Sequence, residues 1–200
     1  MLDTMRQEIR DRLDHIRARL DRLRELDPPQ PGASRFVDRD GNRRDRYVLF
    51  GADLHRYENR PVPADVLATL ESNMGCELPE EFRAFLTDIG CGGGPYYGID
   101  WGFLRDFATP DCAIPFPEGD AGPLYQSDDD EDGLEHGYVL TTSQGCGDFL
   151  GVITSGPSRG HVVAINNSTA DWRLGPSFLT HYLAWIDQGI AQLDSPARPA

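Results

Sequence analysis

Three short apolar runs, Tyr138–Thr142, Phe149–Thr154 and His161–Asn166, follow one another with six residues in each gap. A parallel strand pair needs a crossover of about a dozen residues or more, so connections this short permit only antiparallel neighbours. Gly145, Gly147, Gly156 and Gly160 stand in the two gaps, as tight turns require. The segment predicts an antiparallel meander. Two further runs, Tyr96–Ile99 and Ala113–Phe116, are candidate strands ahead of it.

Helical patterns flank the meander. Pro63 opens a helix at a position where its missing N–H does no harm; Val66, Leu67, Leu70 and Met74 supply its inner face, and Gly75 is placed to end it. Leu78-Pro79-Glu80-Glu81 opens a second, its glutamates facing the positive end of the macrodipole. Phe82, Phe85, Leu86 and Ile89 follow at i, i+3, i+4 and i+7, until Gly90 and the loop Cys91-Gly-Gly-Gly-Pro95 stop the helix. Near the C-terminus Ser177 can cap a third, whose inner face is Phe178, Leu179, Tyr182, Leu183, Ile186, Ile190 and Leu193. Two helices, a run of strands and one helix make an α+β body over residues 61–193, an antiparallel sheet packed on helices.

Residues 1–60 read as an extension. Leu2, Met5, Ile9, Leu13, Ile16, Leu20, Leu23 and Leu26 form one apolar stripe on a helix of about seven turns. That stripe can pack on the body, or serve self-association or partner docking through residues 2–26. A Pro-rich linker (28–34) follows, then two charged arms around Asp40-Gly41 that predict a solvated hairpin. Residues 194–200, with Pro196 and Pro199, read as a tail.

Charge separates the two parts. All 19 basic residues are arginine, and the formal net charge is −14. Residues 1–60 carry 14 arginines against 12 acids, whereas residues 61–200 carry 5 against 21. So acidic a body repels phosphate backbones, which speaks against nucleic acid and for a basic protein partner. No apolar run is long enough for a membrane span, and the first residues turn charged at once, unlike a secretory leader. With four irregularly spaced cysteines, the expectation is a cytoplasmic protein with reduced thiols.

Little in the chain suggests catalysis. Cys76, Cys91, Cys112 and Cys146 form no Cys-x-x-Cys pair, the five histidines no His-x-x-x-His, and no Gly-x-Ser-x-Gly elbow occurs. Cys91 and Cys146 sit in glycine loops that could expose a thiol. The cysteine gaps are too wide for a structural zinc site, and the phosphate-loop lysine is missing, so neither metal nor cofactor is expected. In Asp128-Asp129-Asp130-Glu131-Asp132 the acids are consecutive, and neighbours in a chain point apart, which suits calcium poorly. The run is a solvated loop or an acidic contact patch that a cationic partner would relieve.

Leu78-Pro79-Glu80-Glu81-Phe82, closed by Gly90-Cys91-Gly92-Gly93, resembles the helix start and glycine-rich loop of the SUKH superfamily (Smi/Knr type). Gly145-Cys146-Gly147-Asp148 ahead of a strand, Trp172, Ser177-Phe178-Leu179 and Trp185-Ile186 extend the likeness over residues 60–190. The resemblance implies an α+β fold without shared catalytic residues. It also implies an immunity protein that binds and occludes a toxin domain, often a nuclease, or else a non-catalytic adaptor. For the contact surface the candidates are Asp128, Asp129, Asp130, Glu131, Asp132, Glu135 and Asp148, with Tyr96, Tyr97 and Trp101 as aromatic anchors.

Overall fold

The long apolar stripe at the N-terminus makes helix α1, Leu2–Leu26. Its Ile9, Leu13, Ile16, Leu20 and Leu23 are buried in the same core as the body's Phe82, Phe85, Phe178 and Tyr182. From Ile9 to Leu23 the stripe is thus covered by the chain's own helices, while Met5 stays exposed. This computed structural model describes residues 2–125 and 134–195.

Two helices of the body follow the sequence pattern. Helix α3, Ala64–Met74, ends on Gly75 in the left-handed conformation. Helix α4, Glu80–Asp88, starts after Pro79 and buries Phe82, Phe85 and Leu86. Before them a short helix α2, Ala52–His55, leads into β1, Asn59–Arg60, which pairs antiparallel with β2, Cys91–Gly92. Gly90 makes this pairing achievable: at φ +104°, a Cβ there would lie 2.0 Å from the Arg60 carbonyl.

The meander is present and longer than the sequence pattern suggests. Strands β4 (Tyr138–Gly145), β5 (Asp148–Ile153), β6 (His161–Asn166) and β7 (Asp171–Ser177) pair antiparallel in that order, and β3 (Ala121–Pro123) adds at the β7 edge. Side chains alternate between the faces. Val139, Leu150, Val152 and Val162 meet the helical core, while Leu140, Ile153, Val163 and Ile165 form a second cluster with Phe116 and Trp172. Helix α6, Phe178–Asp194, closes the helical layer against α1 and α4.

Some expectations fail for physical reasons. Tyr96–Ile99 is a turn followed by the N-cap Asp100 of helix α5, Trp101–Asp106; the Asp100 carboxylate accepts from Gly102 N–H and Phe103 N–H. Ala113–Phe116 leaves the 3₁₀ turn Pro110–Ala113 and pairs with no strand, because Pro115 lacks the N–H a ladder needs. The charged hairpin keeps its turn but forms only isolated bridges, Val37 to Arg43 within it and Arg46 to Gln30 of the linker, and stays outside the sheets. Ser177 stands at the N-cap of α6 without capping it; Glu81 of α4 accepts from Leu179 N–H instead.

Both sheet edges are blunted. Strand β3 is three residues long and carries Pro123. Along β4, Asp100 N–H donates to the Thr141 carbonyl (2.8 Å) and the Cys112 thiol to the Tyr138 carbonyl (3.3 Å). These two edge carbonyls are thus already engaged.

Candidate functional site around α5

The charge asymmetry has an internal counterpart. Arg6, Arg12, Arg17, Arg19 and Arg22 of α1 pair with Glu80, Glu81, Asp88, Asp187 and Asp194 on α4 and α6. Five of the body's acids are therefore met by the chain's own N-terminal helix. The acids left over lie elsewhere. Residues 89–158 hold 12 acidic side chains and a single arginine, Arg105, which pairs with its neighbour Asp106. Among the described residues, Asp100, Asp106 and Asp111 lie in or next to α5, and Glu135 and Asp148 flank β4 in the chain.

Helix α5 divides two clefts. On its N-terminal side an open trough of about 580 Å³ is lined by His55, Glu58, Arg60, Cys91, Tyr97 and Trp101, among others. On its C-terminal side a smaller cleft of about 270 Å³ lies over the outer face of the sheet, between Phe107, Asp111, Tyr125, Glu135, Tyr138 and Phe149. At 1.5 Å rise per residue, Trp101 and Phe107 are about 9 Å apart along the helix axis.

The trough brings together a cysteine and a histidine, the feature that would favour an enzyme. Their environments argue against it. Cys91 is 7% exposed, and burial pushes its thiol up to about 12. His55 is also 7% exposed, and burial pulls its imidazole down to about 4. A nucleophilic pair needs thiolate and imidazolium, and here both groups are held neutral. His55 Nδ1 accepts from Tyr57 N–H at 3.0 Å, which makes it a structural acceptor.

The sequence-nominated residues divide accordingly. Tyr97 and Trp101 line the trough, and Tyr97 also stacks on the exposed Phe50 at 5.1 Å between ring centroids. Tyr96 turns the chain at φ 48° and packs against the core. Glu135 is exposed at the smaller cleft. Asp148 accepts from Ser168 N–H and Oγ at 3.2–3.3 Å, and so pins the β6–β7 turn. Asp128–Asp132 lie outside the described residues. Of the two glycine-loop thiols, Cys146 is exposed and Cys91 is buried, contrary to the expectation that the loop would expose it.

Phe107, Asp111 and Tyr125 escaped the sequence reading. Each is an ordinary loop or helix-end residue until the fold brings it to the cleft over the sheet. One signal was legible: Phe107 and Tyr125 are aromatics beside Asp106 and ahead of Gln126, off any apolar period.

A buried carboxylate organises the far side of the trough. Asp27, 1% exposed, follows the last turn of α1. It accepts from Val48 N–H (2.8 Å), Leu49 N–H (3.1 Å) and the Tyr57 hydroxyl. These bonds hold residues 47–57, and with them Leu54 and His55, against the helical core.

Comparison with known proteins adds one finding. The model of the SMI1/KNR4 family (SUKH-1) matches residues 61–182. Neither a curated protein nor a solved structure matches the chain.

Proposed function

The chain belongs to the SMI1/KNR4 (SUKH-1) family, and from that premise we propose that it is an immunity protein that holds a cationic toxin domain, of the nuclease kind, and occludes its active site. Domains of this family are generally non-catalytic immunity or adaptor domains, which agrees with the neutral Cys91 and His55. The observation that carries the reading is the acidic surplus of residues 89–158, twelve acids against Arg105 alone, that remains after α1 has paired with the α4–α6 side.

The mechanism is stoichiometric. Unpaired carboxylates steer a positively charged partner and raise its association rate at low salt. Tyr97 and Trp101, half-buried on the trough wall, then supply rigid apolar anchors at little entropic cost. The adaptor alternative in which α1 is the contact is less favoured, because that helix's apolar stripe is buried from Ile9 to Leu23.

The test is capture from the native cell at low and at high salt, followed by reconstitution with the purified retained protein. One basic protein whose nuclease activity is abolished at a 1:1 ratio supports the reading. Retention of acidic or neutral regulators with no activity to inhibit replaces it with the adaptor.

A further inference from the structure

We infer that the smaller cleft, between Phe107 and Tyr125, is the seat of a partner-protein segment that carries a cationic side chain next to an apolar one. The inference rests on the immunity reading and names the contact within it.

Three observations converge. The floor of the cleft is apolar: Tyr138, Leu140, Phe149 and Ile165 from three adjacent strands. Phe107 and Tyr125 stand at its lips, 47% and 43% exposed, although the chain has a core that could take aromatic rings. Asp111 and Glu135 stand on its wall, and neither has a salt-bridge partner among the described residues. An apolar floor with unpaired carboxylates at its rim is complementary to an arginine or lysine flanked by a hydrophobic side chain.

Size and access narrow the occupant. About 270 Å³ falls below the range of about 300–1,000 Å³ usual for small-molecule sites. It has room for one or two inserted side chains. The Tyr138 and Thr141 carbonyls of β4 already accept from Cys112 and Asp100, which leaves less of that edge for an added strand and favours insertion of side chains. Nucleic acid is repelled by the same carboxylates.

The test uses the full chain and two capped tripeptides, acetyl-Arg-Trp-Arg-amide and acetyl-Glu-Trp-Glu-amide, titrated in amide-detected NMR at 50 and 300 mM salt. The expected result is saturable shifts confined to residues 107–111, 124–125, 135–140 and 149 for the arginine peptide. Raising the salt should weaken that binding several-fold, and the glutamate peptide should leave the spectrum unchanged. Phe107→Ser with Glu135→Gln, both at exposed positions, should weaken the arginine peptide at least tenfold with an unchanged melting temperature. Shifts at Tyr97 and Trp101 instead, equal binding of the two peptides, or no binding would overturn the inference. The same double variant, assayed against the captured toxin domain, separates the two levels. Undiminished neutralisation by the variant removes the cleft and leaves the immunity reading intact. Absence of any neutralisable partner for the wild type removes the reading itself.

Discussion

Asp27→Asn should destabilise the protein by about 2–3 kcal/mol with almost no change in side-chain shape. The carboxylate accepts three hydrogen bonds, with Oδ1 serving Val48 N–H and Oδ2 serving both Leu49 N–H and the Tyr57 hydroxyl. An asparagine can keep its oxygen toward Val48. Its NH₂ then faces two donors. The Tyr57 hydroxyl can turn and accept, but Leu49 N–H is buried and stranded. A stranded buried donor costs about 1–3 kcal/mol, and hydrogen bonds to a charged group are worth roughly 1.5–3. For a chain of this size about 1 kcal/mol moves the melting temperature by about 2–4 °C, so the midpoint should drop by roughly 5–10 °C. Tyr57→Phe should cost about 2 kcal/mol, and the double variant less than the sum by about 1, because the two groups share one bond. Thermal and urea unfolding of the four proteins measures this. A midpoint within 2 °C of wild type for Asp27→Asn, or strict additivity, would refute the view that this carboxylate fastens residues 47–57 to the core.

Four further outcomes follow from the same structure. Burial lowers the His55 imidazole from about 6.5 to about 4, so the unfolded chain binds the extra proton first; stability should be fully present above pH 6.5 and fall by about 3 kcal/mol as pH drops towards 4, and urea midpoints for His55→Gln should lose that slope. Arg12→Ala removes the link from α1 to Glu81 and Thr180 and should cost about 1 kcal/mol by urea unfolding, whereas Arg22→Ala, an exposed pair partner, should be near neutral. Gly90→Ala places a Cβ 2.0 Å from the Arg60 carbonyl, so β1 and β2 must part; amide exchange at Arg60 should accelerate and the midpoint fall, and unchanged protection would contradict the close approach. A maleimide should label Cys146 within minutes and leave Cys91 and Cys112 unlabelled until the protein unfolds, because only the first is exposed.

The α+β class, the antiparallel meander, helices α3, α4 and α6, and the seven-turn α1 were legible because each rests on a local rule. Connections of six residues exclude crossovers, and apolar spacing of three and four specifies a buried helical stripe. Strands β1, β2, β3 and β7 were not legible. The first three are two or three residues long and exist only because a distant segment comes alongside, as Cys91–Gly92 does beside Asn59–Arg60, while β7, with Gly175 and Pro176, shows no strand-like apolar run. The turn at Tyr96–Ile99 was hidden for a related reason. Its aromatic and β-branched residues have strand propensity, but the Asp100 carboxylate caps a helix one residue later.

The candidate site divides along the same line. Composition alone established that the body is acidic, and residue order that the chain has no Cys-x-x-Cys, His-x-x-x-His or Gly-x-Ser-x-Gly motif. Charge sums over a chain do not depend on its path. Tertiary structure decided which acids remain available, because α1 folds its arginines onto Glu81 and Asp187, while Asp111 and Glu135 meet no cation among the described residues. It also decided the protonation of Cys91 and His55, since burial raises the thiol and lowers the imidazole. Finally, it brought Phe107 and Tyr125, 18 residues apart in the chain, to the two lips of one cleft. Local chemistry is written in neighbouring residues; the pairing of distant charges and the shape of a surface arise only when the layers pack.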